Sequence, residues 1–365
     1  MSQSKYKIAL VGEMLSRGGA EKVQSLLSKY FVAAGIEVHH IIFIDEVTYD
    51  FAGTLFTLAQ YKTTKNKLFN KWLMLKAFRT YVKAQHFDFI IDFRAKHNYL
   101  QEFVIARFVY TTPYTMSIRS SNLRYHFPKR TFLAKQIFKN CYGFVTVSKA
   151  VEGNVSKIFA NSKVETIYNP VDISEIERLT AEEISTPDSY IFGIGRMKND
   201  VKQFHHLIKA YEGSEARKHH IKLLLMGDGE DKKNLKALVA QKNLEEDVLF
   251  HPFAPNPFPY YKKALFTALT SKYEGFPNVL IESLASGTPV VSYDCTSGPN
   301  EIIQHGTNGL LVNNQDIDAM KKAINSFVMD AALYEVCKAN AKESAERFNP
   351  ENILKDWLRF LKIEI

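Results

Sequence analysis

Residues 191–211 read IFGIGRMKNDVKQFHHLIKAY, a short apolar run closed by two glycines and followed by a helical pattern. Gly193 and Gly195 end a strand, Arg196 follows at its C-terminal edge, and Phe204, Leu207, Ile208 and Tyr211 form the apolar face of the next helix. Strand, glycine turn and helix in that order make the repeating unit of a parallel sheet. Downstream the unit recurs in IKLLLMGDG (221–229), VLFHPF (248–253), ALFTALTS (264–271) and TPVVSYD (288–294). Upstream it appears in KIALVGE (7–13), EVHHIIFI (37–44), FDFIIDF (87–93), YTMSIRS (114–120) and GFVTVSK (143–149), with helical stretches over 20–34 and 65–85. The alternation pauses between Ile167 and Pro187, which reads as a linker. The sequence therefore predicts an α/β chain of two doubly wound, Rossmann-like lobes, over 1–170 and 171–345, facing a central cleft. A last segment, 346–365, carries Ile353, Trp357, Leu358 and Leu361 at helical spacing and is expected to pack back toward the first lobe.

Composition fits this reading. The 365 residues are enough for two domains at ~150 residues each. An apolar fraction of 46% supplies two cores, and 24% charge with a mean hydropathy of −0.19 excludes a disordered or membrane-embedded chain. Cys141, Cys295 and Cys337 are too few and too scattered for a disulfide framework or a zinc site. No leader is apparent, and no stretch of ~18 uncharged apolar residues occurs. Charge is unevenly spread: residues 61–150 hold 17 Lys and Arg against 3 Asp and Glu, so this stretch carries +14 within a chain of net +8. Such a lobe suits an anionic surface or ligand.

Four segments carry candidate chemistry. In LSRGGAEKV, Gly18 and Gly19 open a helix whose free amides favour an anion, although a plain tight turn accounts for them equally well. Arg196 and Lys202 are two cations at one strand end, suited to clamping a diphosphate. Gly227 and Gly229 form a further strand-to-helix turn. In SKYEGFPNVLIESLASGTPVVSYDCTSGPNEII (271–303), Glu274 lies at the mouth of a helix starting near Pro277 or Asn278, and Glu282 lies inside it. Carboxylates accept hydrogen bonds from paired hydroxyls, so one could hold a sugar and the other a ribose. The alternative is a dipole-stabilised Glu274 and a solvated Glu282.

This last segment resembles the E-x7-E signature of the GT4 group of retaining, nucleotide-sugar-dependent glycosyltransferases, which have the GT-B fold. The similarity extends through GGAE, VSKAVEGNV, YNPVD, GRMKNDVKQF, GDG and GPNEIIQHGTNGLLV, in order along nearly the whole chain. The resemblance implies that Arg196 and Lys202 bind the donor diphosphate and that Glu282 binds the ribose. It further implies that Glu274, with the backbone of Gly275, Phe276 and Asn278, addresses the transferred sugar, and that Gly18 and Gly19 close over the phosphates. Lys202 follows Arg196 one residue later than is usual. Arg119 stands where related sequences carry a histidine or an arginine, with His97 as another candidate. By the same resemblance, catalysis is a front-face displacement from a UDP-sugar, with UDP-hexose or UDP-N-acetylhexosamine favoured and no metal or other cofactor required.

The basic lobe suggests the acceptor. KNKLFNKWLMLKAFRTYVKAQ (65–85) and LRYHFPKRTFLAKQIFK (123–139) interleave bases with large apolar residues, as segments seated on an anionic leaflet do. Their apolar residues either meet lipid or pack on the sheet, and for Trp72 packing is the preferred reading. The expected enzyme is cytoplasmic and peripheral on the inner face of the cytoplasmic membrane, where it extends a lipid-linked glycan of lipopolysaccharide, O-antigen, capsule or glycoprotein N-glycan type. A soluble acceptor, an epimerase of the same fold or a non-catalytic polyanion-binding protein are the alternatives; nucleic acid is not an expected partner.

Overall fold

The computed structural model describes residues 6–16, 18–63, 65–96 and 98–364. The chain divides into two compact units, residues 1–170 with 350–365, and residues 171–349. Each is built on one parallel sheet. The first holds β1 (Lys7–Gly12), β2 (Glu37–Ile42), β3 (Thr54–Thr57), β4 (Phe89–Asp92), β5 (Tyr114–Ile118), β6 (Gly143–Thr146) and β7 (Lys163–Thr166) in the order β3-β2-β1-β4-β5-β6-β7. The second holds β8 (Tyr190–Ile194), β9 (Lys222–Met226), β10 (Val248–His251), β11 (Phe266–Leu269), β12 (Val290–Asp294) and β13 (Gly309–Asn313) in the order β10-β9-β8-β11-β12-β13. Central strands such as β1 and β8 are almost wholly buried, as helices on both faces of a parallel sheet require.

In the first unit, helix Gly19–Ala33 buries Val23, Leu27 and Phe31, spaced by four. Helix Pro350–Leu361 belongs to the same core, where Ile353, Trp357 and Leu361 join Ile8, Leu10 and Leu27. Phe360, absent from the sequence reading, is also fully buried. Residues 346–349 group with the second unit, because Phe348 lies edge-on to Phe276 at 5.4 Å and its carbonyl accepts from Val171 N at 2.9 Å. The linker is ordered: Asp172 caps helix Ile173–Leu179 by accepting from Glu175 N at 2.9 Å.

Helix Lys67–Gln85 begins where Asn66 Oδ1 accepts from the amides of Leu68 and Phe69, and ends at His86 in the left-handed region. Its buried residues are Met74, Phe78 and Val82. Trp72 is not packed on the sheet as expected but is 53% exposed. Leu75, Ala77 and Tyr81 pack beside them against the same core, while residues 67–72 are mostly exposed.

Candidate active site

In the second unit, the turns after β8 and β9 lie backbone against backbone. Gly195 N donates to Met226 O at 3.1 Å and Met197 N to Asp228 O at 2.8 Å. Gly227, at φ +140°, has no room for a Cβ, which would run into the Gly195 carbonyl. This packing fixes Arg196 at the C-terminal edge of the sheet, exposed and, among the described residues, outside any ion pair.

The longer interval after Arg196 still delivers Lys202 to that edge. Lys272 N donates to Val201 O at 2.7 Å, and Thr270 Oγ1 donates to the carbonyls of Lys202 and Gln203, both at 3.1 Å. Gln203 takes a left-handed φ of +47° to turn the chain into helix Phe204–Glu212. The stem of Lys202 runs past Gly195, and its Nζ lies 2.6 Å from Glu274 Oε1, with both side chains largely shielded. Cation and carboxylate thus form one pair, where the sequence reading gave them separate partners.

Helix Asn278–Ala285 starts after Pro277. The preceding loop is braced from behind: Ser297 Oγ donates to Gly275 O at 2.7 Å, and Gly298, at φ +98°, sits against Pro277 so closely that a Cβ would lie 2.6 Å from its Cδ. Phe276 is buried, and Asn278 supplies the first turn. Cys295 lies beside Glu274 and Lys202; burial, helped by Glu274, pushes its thiol up to about 12, so it is neutral at physiological pH. Glu282 is not a solvated helix residue: it is buried and accepts from the Tyr261 hydroxyl at 3.2 Å. Burial and Glu282 together hold that phenol well above its ordinary range.

In the first unit, Arg119 leaves the end of β5. Its guanidinium donates to Ser117 Oγ at 2.9 Å and to Asn169 Oδ1, and lies 5.5 Å from the centre of the Phe93 ring. Burial lowers the guanidinium from its ordinary value and Glu21 pulls it back; a guanidinium stays charged at neutral pH. Glu21 lies in the first turn of the helix opened by Gly18 and Gly19, with its carboxylate folded over Gly18. Burial raises Glu21, Glu13 adds to the rise and Arg119 opposes it. The glycine turn and Arg119 therefore reach the same edge of the sheet, linked by an acid that the sequence reading passed over. His97 lies outside the described residues.

A second missed group lies where β4 ends. Arg94 Nη2 reaches Asp92 Oδ2 at 2.7 Å and Glu102 Oε2 at 2.9 Å, Lys96 Nζ reaches Asp92 Oδ1 at 2.8 Å, and Tyr110 donates to Asp92 Oδ2 at 2.7 Å. All five residues are buried. The available signal was D-F-R-A-K directly after an apolar strand, a charge run where a solvated face would be expected. Among the described residues, no three His, Cys, Asp or Glu side chains group as metal ligands.

Comparison with known proteins identifies the family of the chain. Residues 17–175 match the family model of Glycosyltransferase Family 4, and residues 175–344 that of Glycosyl transferases group 1. Over 375 aligned residues, 97% of this chain and 99% of the relative, the sequence is 30% identical to the N-acetylgalactosamine-N,N'-diacetylbacillosaminyl-diphospho-undecaprenol 4-alpha-N-acetylgalactosaminyltransferase of Campylobacter jejuni. A mutant of S. aureus TarM solved with fondaparinux, alpha-GlcNAc-glycerol and UDP superposes with a TM-score of 0.78 at 16% identity, covering 98% of this chain and 99% of that one. Anabaena HepE solved with UDP gives 0.75 at 21%, with the same coverage. Two parallel Rossmann-like sheets, a family match along both units and a relative aligned from end to end lead to one conclusion: the chain belongs to the family-4 glycosyltransferases and has their GT-B fold.

Proposed function

We propose that this glycosyltransferase moves a sugar from a nucleotide-diphosphate sugar, UDP-hexose or UDP-N-acetylhexosamine, to a hydroxyl of a lipid-linked glycan in cell-surface polysaccharide, lipopolysaccharide, O-antigen or glycoprotein-glycan assembly. The observation that carries the donor side is the convergence of Arg196 and the Lys202–Glu274 pair on the edge where helix Asn278–Ala285 begins. The acceptor class is supported by the diphospho-undecaprenol-linked glycan in the name of the Campylobacter relative.

In this reading Arg196 and Lys202 hold the diphosphate. Its oxygens compete with Glu274 for the lysine amine, and the freed carboxylate turns to the hydroxyls of the sugar, beside the backbone of Gly275, Phe276 and Asn278. Glu282 takes the ribose hydroxyls. As the bond from the anomeric carbon to the diphosphate breaks, the acceptor oxygen bonds to that carbon on the same face, and the departing phosphate oxygen takes the acceptor's proton. The two cations stabilise the charge growing on the leaving group. Arg119 serves on the acceptor side, and no metal is required.

The enzyme works as a peripheral protein on the anionic inner face of the cytoplasmic membrane, a reading supported by the +14 between residues 61 and 150. Among the described residues, no helix is long and apolar enough to cross a membrane. Screening nucleotide sugars by nucleotide release, with and without extracted lipid-linked oligosaccharides, tests the assignment. One UDP-sugar should turn over only when lipid-linked acceptor is present. Equal turnover with a water-soluble glycan would replace the lipid-linked acceptor by a soluble one.

A further inference from the structure

We infer that Glu21 is an acceptor-binding residue: its carboxylate, held at the glycine turn of the first unit, accepts hydrogen bonds from hydroxyls of the sugar that receives the transfer. The inference rests on the reading above that gives Arg119 to the acceptor side, and deepens it by naming the group that recognises the sugar. Its local cause is the start of helix Gly19–Ala33. Gly18, the residue before that helix, has no side chain to cap it, so the first amides need an acceptor from elsewhere. Glu21 supplies one from within the first turn. Its carboxylate turns back to its own amide and lies over Gly18, with Cδ 2.8 Å from where a Cβ of residue 18 would stand. A side chain at position 18 would push the carboxylate away, which gives this glycine a use beyond backbone freedom. With the carboxylate in place, a phosphate reaching the helix start would meet a like charge, whereas a hydroxyl would meet an acceptor.

The surroundings separate Glu21 from an ordinary surface cap. It is half-buried, and among the described residues its carboxylate accepts from no side chain. Burial and the nearby Glu13 raise its carboxyl, and Arg119 opposes the rise. A carboxylate so placed is short of donors, and sugar hydroxyls supply them. The cation beside it is anchored, through Ser117 Oγ at 2.9 Å and Asn169 Oδ1, and feels Glu21 in return. Acceptor and donor groups for one hydroxyl-bearing ring thus stand together at the C-terminal edge of the first sheet. The same turn also holds an unmet hydroxyl: Ser16 Oγ is buried and, among the described residues, has no partner, as in a turn whose hydrogen bonding is incomplete without a ligand. Arg17, between Ser16 and Gly18, lies outside the described residues.

Steady-state transfer from a UDP-sugar to extracted lipid-linked oligosaccharides, with UDP affinity and melting temperature measured on the same samples, tests the assignment. Glu21→Gln keeps the length of the side chain and one acceptor for the amide, so it should melt within about 1 °C of the parent. Its affinity for free UDP should match the parent's. Its KM for the lipid-linked acceptor should rise about tenfold, the scale of one hydrogen bond to a charged group, with a smaller change in kcat. Gly18→Ala displaces the carboxylate without removing it. Because Gly18 has an extended backbone that alanine can adopt, this variant should fold and show the same rise in acceptor KM.

Tighter binding of UDP by Glu21→Gln, with acceptor KM unchanged, would show that the carboxylate guards an anion cradle for the donor, and would overturn the inference. Kinetics equal to the parent's in Glu21→Gln and Glu21→Ala, with melting lowered in the second alone, would reduce Glu21 to a helix cap and overturn it too. If the parent transfers only to a water-soluble glycan, the lipid-linked reading fails, and the same comparison of KM on that glycan decides the role of Glu21. A parent that transfers to neither kind of glycan would overturn both.

Discussion

At the end of β4 in the first unit, Asp92, Arg94, Lys96 and Glu102 form a dry set of two cations and two anions; beyond β8 and β11 in the second, Lys202 and Glu274 form a largely but not fully shielded pair beside an exposed Arg196. Both groups gather at the C-terminal edge of a parallel sheet and use the same residue types. Burial separates them. Inside the first unit each charge loses its hydration, and only complete pairing offsets that cost. Burial by itself would raise Asp92; Arg94 and Lys96 overcome it and hold the carboxyl well below the usual carboxylate range. Such a set has no charge left for a ligand, and its work is to hold the loop that carries Phe93, the ring over which Arg119 sits. The second group keeps a guanidinium in reserve.

The largest test of that contrast is Arg94→Met. It leaves two buried carboxylates with only Lys96 for a partner and should destabilise the protein by about 3–5 kcal/mol, a fall in melting temperature of ~10 °C for a unit of this size. Arg196→Ala, at an exposed position, should melt within about 1 °C of the parent. A melting curve for Arg94→Met that superimposes on the parent's would show the cluster to be solvated, and the two sites would no longer differ in kind.

Turnover should reverse the order. Removing charge stabilisation from the leaving diphosphate, Arg196→Ala should slow sugar transfer by roughly 10²-fold with stability kept, and Lys202→Ala should act likewise. Steady-state nucleotide release measures both. If each variant stays within about threefold of the parent, a loss too small for a charge contact to the transition state, the diphosphate clamp is misassigned.

What the sequence made legible follows the same division. Central strands announce themselves because burial on both faces forces an unbroken apolar run, as in KIALV and KLLLM. β3, β7 and β13 were not read as strands, because each is a short edge strand with a half-exposed pattern, TLFT, KVET and GLLVN. The residues proposed for the donor side were readable as candidates from their spacing around Gly195 and along helix Asn278–Ala285, and Lys202 and Glu274 do lie together. The buried cluster was not, since a charge run after a strand predicts solvent unless its partners are known, and Glu102 and Tyr110 lie 8 and 16 residues away from Arg94. Trp72 was misread for a related reason: amphipathic spacing reports that an apolar face exists, not which neighbour covers it.

Acid extends the comparison from sites to whole units. His40 in the first unit is fully buried, with Nδ1 3.2 Å from Gln24 Nε2 and Nε2 3.2 Å from the Ala52 carbonyl, an arrangement that suits the neutral ring. Burial lowers its pKa to about 4. The unfolded ring, near 6.5, takes its proton first as pH falls, so stability present above ~6.5 is lost as pH drops toward 4. Between pH 7 and 5 the loss should be about 2 kcal/mol. His206 in the second unit is also lowered to about 4, but it is partly exposed and solvent screens it. Thermal melts across this range should therefore flatten in His40→Gln and change little in His206→Gln. Equal pH slopes in the parent and His40→Gln would remove the buried histidine as the cause.

The smallest effect separates the two glutamates. Glu282 is buried, though less deeply than the charges of the first unit's cluster, and lies in the helix that begins at the candidate donor site, with the Tyr261 hydroxyl on Oε2. Because glutamine keeps the shape and can still accept from Tyr261, Glu282→Gln changes the charge and little else. A ribose contact belongs to the nucleotide, so this variant should bind free UDP about tenfold more weakly, the scale of one hydrogen bond to a charged group. Tyr261→Phe removes only a neutral donor behind the carboxylate and should cost less. Glu274→Gln should bind UDP at least as tightly as the parent, since the carboxylate that competes for Lys202 is gone, while slowing transfer, because a sugar contact is absent when only the nucleotide binds. Titrating UDP into the three variants by calorimetry reads all of this at once. The opposite pattern, UDP affinity lost with Glu274→Gln and kept with Glu282→Gln, would exchange the two roles and move the ribose to the mouth of the helix, beside Lys202.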